Sequence, residues 1–215
     1  MESALRNLTE RELNSLELIE TFRFSPDEGF VRLAMHLRRM EKSAAAFKIS
    51  FDRDDALRVL KRVGGETALR VRLSLKAAGE FMALTAPLAP NPPLWRFIVS
   101  TARLDPADPW LRHKTSRRAR YDDARANLPA GVDEAVFCNI EGRLCEGAIT
   151  NVFIERGGRL LTPERDAGLL PGVLREDLLA DGRAEEADLT LDDLAGADAV
   201  FLGNSLRGLI PARAA

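Results

Sequence analysis

The sequence predicts a two-domain chain of the α+β and α/β kind. Three observations carry that expectation. Strand and helix patterns alternate over the first 88 residues around what reads as one sheet. Residues 86–93, APLAPNPP, then place four prolines in eight positions, and short strands dominate the remainder of the chain. The expected boundaries are 1–88 for a small N-terminal domain and 89–215 for a larger C-terminal one.

In order, residues 1–15 are polar and read as peripheral. Leu16 to Phe24 alternates as a strand, and Ser25-Pro26-Asp27-Glu28-Gly29 is turn chemistry. From Val31 to Phe47 the spacing of Leu33, Leu37, Met40, Ala44 and Phe47 predicts a helix, with His36, Arg39 and Ser43 along the edge of its apolar stripe. A second helix is expected over Asp54 to Val63, ended by Gly64-Gly65. Strands come next over Ala68 to Leu75 and Phe81 to Pro87. Beyond the prolines, Leu94 to Leu104 reads as a strand and Asp105 to Pro109 as a loop. A helix over Arg117 to Asn127 has Thr115 or Ser116 as its expected cap. Ala135 to Ile140 and the stretch EGAITNVF, Glu146 to Phe153, supply further strands, the latter turning at Gly157-Gly158 into Arg159 to Thr162. Gly168-Leu169-Leu170-Pro171-Gly172 leads into a helix over Val173 to Ala180, closed by Gly182. The last strands are Ala199 to Leu202 and Leu206 to Ile210, around Gly203-Asn204-Ser205.

Composition narrows the function classes. Apolar residues make up 46% and charged residues 30% of 215, an ordinary globular mixture. A net charge of −2 gives no electrostatic footprint for nucleic acid or an anionic membrane. No apolar run approaches a membrane span and the N-terminus lacks an apolar signal core, so the expected location is the cytoplasm. Two cysteines, Cys138 and Cys145, and two histidines offer no metal-ligand spacing and read as free thiols in a reduced core. Lysines number five against 26 arginines, so each lysine can be weighed singly.

Lys114 lies between a strand and a helix start, beside His113 and Arg112, Arg117, Arg118 and Arg120. Neighbouring cations and partial burial lower an amine's pKa and favour a nucleophile or base, whereas a solvated cation or a phosphate contact is the plainer alternative. Glu146 opens what reads as a buried strand, where a carboxylate needs a cation such as a protonated ring nitrogen, or else a rim position in water. The start of the helix at Gly172 presents the amides of Val173 and Leu174, a phosphate seat or an ordinary Pro-Gly turn. Ser205 and Arg39 are further phosphate partners, or a turn serine and a surface arginine.

In the segments HLRRMEKSA, HKTSRRARYD, EGAITNVF, LLPGVLR and GNSLRG, the sequence resembles the fold-type IV pyridoxal-phosphate enzymes, from about Leu16 onward. This class holds branched-chain and D-amino-acid aminotransferases and 4-amino-4-deoxychorismate lyase. The resemblance implies a small α/β N-terminal domain, a β-barrel-like C-terminal domain, a homodimer, and pyridoxal 5′-phosphate as cofactor. It also implies roles for individual residues. Lys114 matches the lysine that forms the internal Schiff base, and Glu146 the carboxylate that keeps the pyridine nitrogen protonated. Leu170 matches the apolar residue packed on the ring. Val173, Leu174, Ser205 and Arg39 match the phosphate ligands, and Arg23 falls where relatives place a basic residue near the substrate carboxylate. Two departures stand out. Relatives begin with an extra strand and a GDG-like segment where this chain has a charged stretch, which bears on the substrate pocket. Tyr121 lies one helical turn beyond the tyrosine often found after the lysine.

LELIETFRF, HKTSRRARYD and FLGNSLRG look most like the lyase-type members, which implies release of pyruvate and formation of 4-aminobenzoate. The substrate would be a small amine with carboxylates, suited to the arginines at 112–120, which read equally as a solvated helix face. A class IV aminotransferase acting on branched-chain or D-amino acids is the second expectation. A non-catalytic relic serving as a binding module is the third.

Overall fold

The structure, a computed structural model, describes residues 8–215, so the first seven residues of the stretch expected to be peripheral lie outside the described residues. The chain divides into two compact units. One takes the described residues up to Pro90 together with His113–Arg117, and the other takes Asn91–Arg112 and Arg118–Ala215.

The first unit begins with α1 (Glu10–Ser15), where the sequence suggested only a polar tail. Thr9 and Glu12 form a capping box that satisfies two amides at its start. A four-stranded antiparallel sheet comes after it. It contains β1 (Glu17–Ser25), β2 (Gly29–Phe30), β3 (Leu69–Lys76) and β4 (Phe81–Pro87) in the order β2-β1-β3-β4. Between β2 and β3 run α2 (Leu33–Phe47) and α3 (Arg53–Leu60). Asp52 caps α3 by accepting the amides of Asp54 (2.8 Å) and Asp55 (3.3 Å). Leu37, Met40, Ala44 and Phe47 are buried on the predicted stripe of α2, and His36 and Ser43 are buried with them rather than left at its edge. Phe22, Val71, Leu73 and Leu75 complete that core.

The second unit is built on β5 (Trp95–Leu104), α4 (Ala119–Ala126), β6 (Glu134–Asn139), β7 (Leu144–Gly147), β8 (Asn151–Arg156), β9 (Arg159–Pro163), α5 (Val173–Ala180), β10 (Glu185–Ala187), α6 (Leu191–Ala195), β11 (Ala199–Asn204) and β12 (Gly208–Ala214). Six strands run in the order β8-β11-β12-β5-β6-β7, and β7 pairs back to β8, closing a barrel. This is the expected barrel-like fold. The pairs β12–β5 and β5–β6 are parallel, and the other pairs in the ring are antiparallel. β9 and β10 extend outward from β8. The β8–β9 hairpin turns on Gly157 (φ 57°) and Gly158 (φ 74°), the left-handed pair that a two-residue hairpin needs.

Side chains alternate across the barrel wall. Trp95, Phe97, Val136, Cys138, Leu144, Val152, Ile154, Leu202 and Ile210 pack as one interior cluster. The intervening residues face outward into two covering layers. Phe137, Cys145 and Ala148 pack with Tyr121 and Ala124 of α4, and Phe153 packs with Leu174 and Leu178 of α5.

Three local expectations are corrected. EGAITNVF is not one strand but a hairpin, with Glu146 near the end of β7 and Asn151 opening β8. Neither Thr115 nor Ser116 caps α4. The N-cap is Arg118 without a side-chain cap bond, because Thr115 Oγ1 accepts the Arg117 amide (3.2 Å) and Ser116 Oγ accepts that of Glu17 (3.0 Å). The last strand lies at Gly208–Ala214, since Asn204 takes the Arg207 amide on its side chain (3.0 Å) and prolongs the turn. Among the described residues no helix is long and apolar enough to cross a membrane.

Arg175 of α5 is buried, donating to the Pro163 carbonyl (2.8 Å), to Glu176 (2.8 Å) and to Glu186. It ties the helix to the β9–β10 edge. Arg175→Ala leaves a buried carbonyl unpaired and a carboxylate without its partner. The expected loss is about 2 kcal/mol or more by denaturant titration, discounted because Glu186 is half exposed.

Candidate active site

The buried carboxylate of Glu146 marks one end of the second unit. Its position arises from a one-residue bulge. Val136 and Phe137 pair with Gly147 and Glu146, but Cys138 pairs with Leu144, so Cys145 is the extra residue. Leu144 therefore points into the barrel with Cys138, and Glu146 stands on the outer face beside Phe137. A single cross-strand row then runs Phe137, Glu146, Asn151, Gly203, Leu209 over five strands.

Bonds from three neighbouring segments fix this row. Tyr121 of α4 donates its hydroxyl to Glu146 Oε1 at 2.6 Å, and the Leu170 amide donates to Oε2 at 3.1 Å. Asn151 Nδ2 donates to the Leu170 carbonyl (3.0 Å), and Asn204 Nδ2 donates to Ile149 O (3.2 Å). Below the row, Glu134 is fully buried and accepts the amides of Ala135 (3.0 Å), Ala148 (3.2 Å) and Ile149 (3.2 Å) and the Thr150 hydroxyl (3.0 Å). Burial nevertheless holds its pKa above the ordinary carboxylate value. Glu134 thus clamps the β7–β8 turn. Gly147 has no room for a side chain there, because a Cβ would collide with Thr150 Oγ1 and lie 3.0 Å from Glu134 Cδ.

The loop from Leu170 enters α5 at Gly172, where a Cβ would collide with Asn151 Oδ1. No side chain caps α5, so the first-turn amides of Val173 and Leu174 are left to other acceptors. Ser205 is buried in the β11–β12 turn. The second unit therefore gathers Glu146, Leu170 and the start of α5 around Asn151. Cys145, next to Glu146, has its thiol pushed up to about 12 by burial and by the Glu146 charge, which leaves it an inert thiol.

The first unit carries Lys114, Arg39 and Arg23. Its segment His113–Arg117 lies along β1. The Ile19 amide donates to Lys114 O (2.9 Å), the Ser116 amide to Glu17 O (2.8 Å), and His113 Nδ1 meets Ser43 Oγ at 2.9 Å. Lys114 is half-buried, with its carbonyl held by the Ile19 amide. Arg39 gives Nε to Glu20 Oε1 (2.9 Å) and Nη2 to Oε2 (2.6 Å), while His36 Nδ1 lies 2.5 Å from Oε2. Burial alone would raise the pKa of Glu20, but the Arg39 charge and then His36 outweigh it and hold it at about 2. Burial depresses His36, with Lys114 among the opposing cations, so it sits neutral and donates Nδ1–H to the Glu20 anion. Arg23 pairs with Glu28 across the β1–β2 turn and is partly exposed.

Comparison with known proteins gives the family of the chain. The family model for amino-transferase class IV matches residues 17–215. The chain belongs to the class IV aminotransferase family. A solved structure described as a "putative amino-acid aminotransferase", from Mesorhizobium loti, is 45% identical with a TM-score of 0.90, over 94% of this chain and 100% of that one. A "putative aminodeoxychorismate lyase" of Schizosaccharomyces pombe is 29% identical over 185 residues, 81% of this chain and 80% of that protein. A "probable branched-chain-amino-acid aminotransferase" of Thermotoga maritima is 25% identical over 220 residues, 92% of this chain and 75% of that protein. As a class IV member, the chain is a pyridoxal 5′-phosphate-dependent enzyme.

The class IV residues expected from the sequence divide as Lys114, Arg39 and Arg23 in the first unit and Glu146, Leu170, Val173, Leu174 and Ser205 in the second. Sequence reasoning missed the groups that hold them: Glu20, Glu134, Asn151 and Asn204, and the contact from Tyr121 to Glu146. His36 beside the apolar stripe of α2 and Glu20 among the apolar residues of β1 were the available signals for that pair. The two amides had none beyond the place of Asn204 after Gly203 and of Asn151 within EGAITNVF.

Gly147→Ala should cost about 1–3 kcal/mol in denaturant unfolding, because neither Thr150 nor Glu134 can yield without losing bonds. The Glu20 pKa is lowered in the fold, so its stabilisation is present above about pH 4.5 and lost as pH falls toward 2. The stability gap between the wild type and Glu20→Gln should accordingly be widest near pH 6 and close on acidification, as read by unfolding at each pH.

Proposed function

We propose that this chain is a pyridoxal-phosphate lyase of the 4-amino-4-deoxychorismate type, releasing pyruvate from a small amine that carries two carboxylates. The observation that carries the reading is the buried Glu146 carboxylate, its plane set by Tyr121 OH and the Leu170 amide. Such an acid suits a protonated ring nitrogen. The residues at the same end of the unit suit the rest of the group: an α5 start without a side-chain cap for phosphate, Ser205 as a buried hydroxyl, and Leu170 beside the ring. Arg39, oriented by Glu20, adds the cation for the phosphate. When bound, the cofactor supplies an aldehyde that takes up an amine and a ring that withdraws electrons from the neighbouring carbon.

Each protein group then has a stated task. Lys114 is the amine that would hold the cofactor at its aldehyde, water leaving as the bond forms, and its Nζ would accept the proton from the amine-bearing carbon of the substrate during turnover. Glu146 holds the proton on the ring nitrogen. Pyruvate departs as the substrate ring aromatises, with no second substrate required. Arg23 is assigned to a substrate carboxylate, exchanging its partner Glu28 for it, and the working form is a homodimer in the cytoplasm. The lyase-named relative aligned over four-fifths of its length supports this choice. A second reading, amino-group transfer, is favoured by the name of the 45% identical Mesorhizobium loti protein.

The purified enzyme should show a visible cofactor band that borohydride bleaches, with the reduced adduct on the peptide containing Lys114. Lys114→Ala should lose that band and activity by about 10²–10⁴-fold or more. Pyruvate released from 4-amino-4-deoxychorismate without an added keto acid supports the lyase. A strict requirement for a keto acid overturns it in favour of transfer. A colourless protein that takes up no cofactor overturns both.

A further inference from the structure

Tyr121 is the sole tyrosine of the sequence. Its ring is wedged in the layer between α4 and the barrel, edge-on to Phe137 at 5.2 Å between centroids. The Arg118 guanidinium lies 5.8 Å from its centroid and is itself anchored to Asp122 (2.7 Å) and to Ala148 O (3.1 Å). A ring held on both sides has one place to aim its hydroxyl, and that place is Glu146 Oε1, 2.6 Å away. We propose that Tyr121 is a positioning residue that keeps Glu146 ionised and aimed, and through it governs where the proton of the cofactor ring resides. This rests on the reading of Glu146 as the partner of the ring nitrogen.

A hydrogen bond donated to a carboxylate stabilises the anion. The anion in turn keeps a neighbouring pyridine nitrogen protonated and competes less for that proton itself. The phenol can serve at any working pH, because burial, then the Glu146 charge, then the bond itself push its own ionisation far above the ordinary value. Charged or titratable groups that face the phenol include Cys145 on β7 and Arg118 and Arg120 on α4. Cys145 stays a neutral thiol, and the arginines keep their charge throughout, so neither accounts for a titration in this range.

The single tyrosine allows a test with two opposite perturbations. Tyr121→Phe removes the donor, and uniform 3-fluorotyrosine labelling alters Tyr121 alone, making the same phenol a stronger donor. The Glu146 carboxyl is titrated by infrared difference against Glu146→Gln, in apoprotein and holoprotein, with the melting temperature as a folding check. Tyr121→Phe should raise the Glu146 midpoint by about one pH unit, and fluorotyrosine should lower it. In holoprotein with ¹⁵N-labelled cofactor, Tyr121→Phe should move the ring-nitrogen shift toward the unprotonated value, and the change should vanish in a Glu146→Gln background. Unchanged midpoints in both variants overturn the proposal, as does an equal ring shift with and without Glu146. If Tyr121→Phe fails to fold, the fluorotyrosine protein decides alone. A protein that binds no cofactor yet shows the predicted apoprotein midpoints upholds the Tyr121–Glu146 coupling and sinks only the role assigned to Glu146.

Discussion

The candidate site of the second unit depends on one extra residue in β7. Strict alternation from Leu144 would turn Glu146 into the barrel interior, among Val136, Val152 and Leu202, where a carboxylate is costly. The bulge at Cys145 turns it outward instead, into line with Phe137 and Asn151. A bulge is stable only where something holds the altered register, and here that is Glu134. Its carboxylate collects three amides and a hydroxyl and so ties the turn from Ala148 to Thr150 to the base of β6. The register, the turn and the orientation of Glu146 are therefore one coupled feature.

Buried acids in the two units are stabilised in different ways, and the difference bears on what each can do. Glu20 is neutralised by a guanidinium at two points and accepts a hydrogen bond from a neutral imidazole, and its pKa is pulled down to about 2. That arrangement suits a permanent charge whose work is to orient Arg39. Glu134 is held by amides and a hydroxyl with the Arg125 guanidinium farther off at 3.7 Å, and burial still outweighs them, which suits a structural clamp. Glu146 is turned by a phenol and an amide from two separate segments, α4 and the loop before α5. Its geometry is consequently sensitive to both of those elements.

Much of the fold was legible because its signals are local. The stripe Leu37, Met40, Ala44, Phe47 marked α2, Pro171-Gly172 marked the start of α5, and Gly157-Gly158 marked a hairpin. The barrel-like core came with the resemblance to fold-type IV enzymes, carried by motifs spread along the chain. The bulge at Cys145 was not legible, since a one-residue slip in register leaves no mark on composition or periodicity. EGAITNVF read as one strand because Ala148 and Ile149, which lie in the turn, are as apolar as Val152 and Phe153 of β8. The cap of α4 was misjudged for a related reason. Thr115 and Ser116 have the right chemistry, but their hydroxyls are already engaged in the segment that runs along β1.

The spacing within the motifs has its cause in contacts as well as in family likeness. Gly147 stands after the acid because Glu134 and Thr150 occupy the space beside it, and Thr150 is present because its hydroxyl is one of the four donors to Glu134. Asn151 comes next because its amide holds the Leu170 carbonyl while its oxygen abuts Gly172. That contact requires glycine at 172 and brings the start of α5 to the row that contains Glu146. Gly203 continues the row, where a Cβ would lie 2.9 Å from Leu209 and 3.0 Å from Leu174, so α5 can press against β11. Asn204 then returns a bond to Ile149, within the turn where the sequence of contacts began. Three motifs far apart in the chain are thus one packing solution, in which each glycine is dictated by the polar or bulky neighbour opposite it.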